Sequence, residues 1–152
     1  MDVRHPQLQL DEQVCFALYD VSRAVTRLYG PLLTELGLTY PQYLTMLVLW
    51  EADEPTSVGD LGARLHLDSG TLTPLLKRLE SLGLVERRRD EADERRVLVS
   101  LTDEGQALED RAVDVPGCVI ARMGIDLTTL LTLRDTAKQL SASIEAAAPG
   151  KD

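Results

Sequence analysis

Two cysteines, Cys15 and Cys118, are the residues of this chain whose type and setting could do redox chemistry. A thiolate is oxidised by a peroxide to a sulfenic acid, and a sulfenic acid condenses with a second thiol to give a disulfide. The sequence sets Cys15 in the second turn of a helix, near the positive end of the helix dipole, which favours thiolate; Asp11 and Glu12 oppose that effect. Four tyrosines accompany it: Tyr19, Tyr29, Tyr40 and Tyr43. Tyr19 follows Cys15 by one helical turn and shares its face. Tyr29 lies about 40° off that face and roughly 21 Å further along a straight helix. It could therefore meet Cys15 only across an antiparallel partner helix in a two-fold dimer. Phenol hydroxyls aimed at a thiolate would hold it ionised and orient an incoming peroxide. A plainer reading stands beside this one, in which both cysteines are small buried hydrophobes and the tyrosines are amphipathic interface residues. There is no Cys-x-x-Cys pair, and His5 and His66 are not spaced to complete a metal site, so neither a metal nor a cofactor is expected.

The elements that must position these groups are mostly helical. From Ser57 to Thr102 the chain reads as a helix, a turn, a longer helix and a hairpin. Val58, Leu61 and Leu65 fall on one helical face, and His66-Leu67 breaks the register. Asp68 or Ser69 caps the next helix, whose buried stripe is Leu72, Leu75, Leu76, Leu79 and Leu82, and Gly83 supplies a left-handed stop. Its opposite face carries Ser69, Thr71, Thr73, Lys77, Arg78 and Ser81. Val85, a charged tip, and then Val97, Val99 and Leu101 in alternation predict a two-stranded hairpin with one buried face. The fold class is therefore mainly α with a small β-hairpin wing, a winged helix-turn-helix. Such a unit lays its second helix in the DNA major groove.

Longer helices flank this head. The first is predicted from Asp11, as N-cap, to Leu36, with Leu10 stapled to Cys15 and an apolar stripe of Val14, Leu18, Val21, Val25, Leu28 and Leu32. That is long against a mean of about 11–12 residues and suits an element shared between subunits. Thr39 caps the next, with Pro41 in its first turn and Leu44, Leu47, Val48 and Trp50 as its core face. After the hairpin a helix runs from Thr102 to about Met123, kinked at Pro116-Gly117, and a last one from Asp126 to about Ala148. One domain spanning residues 1–152 results, with 57–102 as the head and 10–36 and 103–148 as dimerisation helices. Long apolar faces that the head alone cannot cover imply a homodimer, which matches a pseudo-palindromic duplex. The net charge of -9 argues against DNA binding at first sight. The head itself, however, holds 8 basic and 8 acidic residues, with Arg87, Arg88, Arg89, Arg95 and Arg96 crowded into the hairpin. No apolar run is long enough for a membrane span and no signal core is visible, so a cytoplasmic protein is expected.

At this point the chain resembles the MarR family of winged-helix transcription factors, and most closely its organic-hydroperoxide-sensing branch, the OhrR regulators. The resemblance is carried by LDEQVCFALYDVSR around Cys15, LYGPLLTELGLTYPQYLTMLVLWE, DSGTLTPLLKRLESLGLVER and the wing DEADERRVLVSLTDEG, and covers about residues 8 to 145. It implies a dimeric repressor, bound to DNA when reduced and released by organic hydroperoxides. Cys15 would form the sulfenic acid, hydrogen-bonded by Tyr29 and Tyr40 with Tyr19 close by. Cys118 of the other subunit would close an intersubunit disulfide; in one-cysteine relatives a small thiol caps the acid instead. Residues and resemblance together assign Ser69, Thr71, Thr73, Lys77 and Arg78 to DNA, and Arg87 joins them from the basic hairpin. The resemblance implies that Asp93 orients Arg95 into the minor groove. Two other readings compete: a family member that senses a small aromatic ligand in the cleft between dimerisation helices and head, and a thiol peroxidase, which lacks a visible peroxidase motif.

Overall fold

The computed structural model describes residues 5–148. They divide into two compact units, one ending at Asp114 and one beginning at Val115.

The first unit opens with two short 3-10 turns, Pro6–Leu8 and Leu10–Glu12, followed by α1, Val14–Leu36. The helix thus starts three residues after the expected Asp11 cap. Gln13 takes the N-cap position without a side-chain cap bond; its Nε2 instead donates to the carbonyls of Gln7 and Gln9 at 2.9 and 3.0 Å, which holds the 3-10 turns in place. The Leu10 to Cys15 staple falls with the cap, and Leu10 is exposed. Gly37, at φ 72°, ends α1.

Thr39 opens α2, Tyr40–Trp50, and its amide donates to Gln42 Oε1 at 2.9 Å, one half of a capping box. The buried residues of α2 are Gln42, Tyr43, Thr45, Met46 and Leu49. Leu44, Leu47, Val48 and Trp50, the expected core face, are only half-buried. The helix is apolar nearly all round, so periodicity gave no clean phase.

The head follows with β1 (Thr56–Ser57), α3 (Val58–Leu65), α4 (Ser69–Ser81), β2 (Val85–Arg89) and β3 (Val97–Leu101). Asp68, rather than Ser69, caps α4, accepting the Thr71 amide at 2.8 Å. Leu72, Leu76 and Leu79 are buried, and Gly83 turns the chain at φ 73°. The sheet has three antiparallel strands in the order β1-β3-β2, not two. Two residues are too short for an alternating pattern, so β1 left no signal. Val99 pairs with Arg87 on one side and Thr56 on the other.

Thr102 caps α5, Asp103–Ala112, accepting the Gly105 amide at 3.0 Å. Gly105 is a close approach: a Cβ there would collide with the Leu84 carbonyl oxygen. Arg111 Nη2 donates to the Glu35 carbonyl at 2.8 Å, tying α5 to the end of α1.

The second unit holds α6, Val115–Met123, and α7, Leu127–Ala147. The break lies before α6, at Val113-Asp114, not at Pro116-Gly117. Pro116 sits in the first turn of α6, where its missing N–H was never needed. Asp126 caps α7 by accepting the Thr129 amide at 2.9 Å. No residue of α7 is buried, and Leu127, Leu131, Leu133, Leu140 and Ile144 are all exposed. Among the described residues no single helix is long and apolar enough to cross a membrane.

Candidate functional site

Both thiols are free and exposed on the single chain. The later start of α1 puts Cys15 in the first helical turn, closer to the unpaired amides than the sequence placed it. Tyr19, one turn on, is exposed, with the Arg23 guanidinium 5.4 Å above its ring. Cys118 is exposed within α6.

Tyr29 and Tyr40 come together where α1 meets α2, with ring centroids 4.7 Å apart. Tyr43, which sequence reasoning left unassigned, completes the cluster: it is 5.7 Å from Tyr29 and meets Trp50 edge-on at 6.4 Å. Its spacing of three from Tyr40 on one helix was the available signal. Burial, then the neighbouring Tyr40 and Tyr43, push Tyr29 up to about 12. Burial raises Tyr40 as well, and burial followed by Tyr40 raises Tyr43. These phenols are held protonated, as hydrogen-bond donors. The structure brings Tyr29 and Tyr40 together and leaves Tyr19 apart on the exposed face of α1.

In the head, Ser69, Thr71, Lys77 and Arg78 are exposed along α4, while Thr73 is half-buried. The Thr71 amide and hydroxyl bonds hold the Asp68 carboxyl below its usual range. At the wing tip, Asp93 accepts from Arg95 Nε on Oδ1 at 3.1 Å and from Nη2 on Oδ2 at 3.2 Å, a two-point grip. The arginine side chain stays 90% exposed, so it is anchored at one end and open to solvent elsewhere. Those bonds keep the Asp93 carboxyl low. Arg96 lies 3.6 Å from Asp60 and 3.7 Å from Asp90, linking the wing to α3.

Arg87, assigned to DNA from the sequence, is half-buried and paired within the head. Its Nε and Nη2 both donate to Glu80 Oε2, at 3.1 and 2.6 Å, and those bonds lower the Glu80 carboxyl. Glu80 was not singled out by sequence reasoning, because a lone acid near a helix end has no distinguishing pattern. A cleft of about 340 Å³ opens between the C-terminal end of α1, the α4–β2 turn and α5. Leu36, Leu82, Leu84, Ala107 and Leu108 make its apolar wall, with Glu104 and Arg111 as its charged groups.

The family model of the transcriptional regulators SarA/Rot matches residues 27–111. The chain is similar to the organic hydroperoxide resistance transcriptional regulator of Bacillus subtilis (strain 168), 47% identical over 146 residues, which cover 91% of this chain and 99% of that one. Among solved structures it is similar to AbfR of Staphylococcus epidermidis. The reduced, DNA-bound form of AbfR gives a TM-score of 0.78 at 34% identity, covering 95% of this chain and 98% of that one. The disulfide form gives 0.61 at 36% identity, covering 92% of each. These relatives are transcriptional regulators, not enzymes, so the peroxidase reading lapses. On its winged head, its thiol and tyrosine segment and these relatives, the chain belongs to the MarR family of winged-helix transcriptional regulators, in its organic-hydroperoxide branch.

Proposed function

We propose that the chain is a redox-sensing repressor that binds double-stranded DNA as a homodimer when Cys15 is reduced and leaves it on oxidation by an organic hydroperoxide. The observation that carries this is an exposed Cys15 in the first turn of α1, in a chain 47% identical to an organic hydroperoxide resistance regulator. The Cys15 thiolate attacks the terminal peroxide oxygen: an S–O bond forms, the O–O bond breaks, the hydroxyl stays on sulfur as the sulfenic acid, and the leaving alkoxide takes a proton from water to become the alcohol. The Cys118 thiol of the second copy then attacks the sulfenic sulfur, forming S–S and expelling water. Tyr29 and Tyr40, protonated donors, hydrogen-bond the oxidised sulfur of the partner subunit, and Tyr19 lies beside Cys15. Homodimerisation is supported by α7, which buries nothing, and by α1, whose one buried residue is Leu33. The reading is further supported by AbfR, which resembles this chain in both a reduced DNA-bound form and a disulfide form.

On DNA, two α4 helices enter successive major grooves of a pseudo-palindromic site, with Ser69, Thr71, Thr73, Lys77 and Arg78 on bases and phosphates and Arg95 in the minor groove. One equivalent of cumene hydroperoxide should give a reductant-sensitive band at twice the subunit mass on a non-reducing gel. Cys15→Ser and Cys118→Ser should each abolish that band. DNA release that survives in Cys15→Ser would sink the proposal.

The 340 Å³ cleft favours a second reading, a regulator that releases DNA when a small aromatic acid pairs with Arg111 against the apolar wall. Release by such an acid, unaffected by reductant and lost in Arg111→Ala, would select it.

A further inference from the structure

The hairpin carries a charged residue on the face where packing calls for an apolar one. Directly paired residues of neighbouring strands share a face of the sheet. Val85 pairs with Leu101 and Arg87 with Val99, and both Val85 and Val99 are buried. Arg87 therefore belongs to the inner face, and its side chain is only 24% exposed. Glu86 and Arg88 take the outer face and are exposed. The Arg87 stem packs while its guanidinium reaches one carboxylate oxygen of Glu80, in the last turn of α4. Between them the chain reverses through Gly83, and the Leu84 amide returns to the Leu79 carbonyl at 3.1 Å. The pair thus braces the corner at which the groove helix meets the wing.

We propose that Glu80 and Arg87 are positioning residues that fix the wing against α4, and that Arg87 acts on DNA only through the placement of Arg95. The inference rests on the DNA-binding reading given above. An exposed ion pair contributes little, because water and salt screen it. This pair differs in that losing either partner strands the other on or beside a packed face, and the corner relaxes. Arg95, anchored to Asp93 at the wing tip, then no longer enters its groove in register with α4.

The test uses the full chain, reduced, and the tightest duplex it selects from a random 30-bp library, with affinities from fluorescence anisotropy. Glu80→Gln should weaken binding roughly tenfold, and Arg95→Ala, costing tenfold or more alone, should cost under about threefold when combined with it. The reversed pair, Glu80→Arg with Arg87→Glu, should recover most of the Glu80→Gln loss, which holds the result apart from a folding defect. Additive losses in the Glu80→Gln, Arg95→Ala double variant would overturn the inference. So would a fall of about 0.9 in the slope of log affinity against log salt for Arg87→Gln, the mark of a direct phosphate contact. Failure of the unmodified chain to select any duplex overturns the DNA-binding reading, and the inference with it. Selection followed by additivity overturns the inference alone.

Discussion

Tyr29 of α1 and Tyr40 of α2 lie with ring centroids 4.7 Å apart, in a cluster that burial keeps protonated. Tyr29 ionises only at about 12 against an ordinary 10.0, so the cluster's contribution to stability is complete below 10.0 and is lost as pH rises toward 12. A titration of phenolate absorbance should show a late component that Tyr29→Phe removes. Identical curves for the two proteins would contradict the cluster.

Arg95 gripped by Asp93 predicts unequal losses at the wing. Arg95→Ala should cost about 1–3 kcal/mol of DNA binding and lower the salt slope by about 1. Asp93→Asn should cost less and leave the slope alone, because the guanidinium stays charged and loses only its anchor. Equal slopes for Arg95→Ala and the unmodified chain would remove Arg95 from the interface.

Asp68 accepts the Thr71 amide at the start of α4. Asp68→Ala should lower the thermal midpoint by a few degrees, roughly 2–4 °C. Because its folded carboxyl is held below the unfolded value, the contribution is present above the usual carboxylate range and disappears as pH falls through the folded value. The gap between variant and unmodified chain should therefore close in acid, which urea unfolding at a series of pH values reads directly.

Two glycines should respond in opposite directions. At Gly105 a Cβ strikes the Leu84 carbonyl, which is backbone and cannot rotate away, so Gly105→Ala should lose about 3 kcal/mol or more. At Gly117, inside α6, a Cβ meets nothing within 4 Å, and Gly117→Ala should be neutral or gain up to about 1 kcal/mol. Denaturant midpoints of the two variants separate these outcomes.

What could be read from the residues alone depended on whether a local signal was unique. Asp126, Thr102 and Thr39 mark helix starts by their own chemistry, and Gly37 and Gly83 mark stops by their positive φ, so these boundaries were legible. Asp11 looked like another cap. Instead α1 starts after Gln13, whose side chain bonds back to Gln7 and Gln9, and nothing in the residue types ranks those options. Pro116 signalled a break, but it marks the beginning of α6, since proline fits a first turn as well as it ends a helix. In the head, Asp93 and Arg95 sit two apart, and the family resemblance, not the residue types, marked them as a pair. Glu80 and Arg87 sit seven apart across a turn, and only the folded corner brings them together.

The chain has a single tryptophan, Trp50, and its indole Nε1 donates to the Gly105 carbonyl at 2.9 Å, where α2 meets α5. That makes the joint beneath the head optically self-reporting. Opening it would free the indole from its carbonyl and expose it to water, shifting its emission to the red. Stopped-flow fluorescence of the unlabelled protein can therefore time any rearrangement at this joint against thiol loss after peroxide is added. Chemistry and movement become two clocks in one sample.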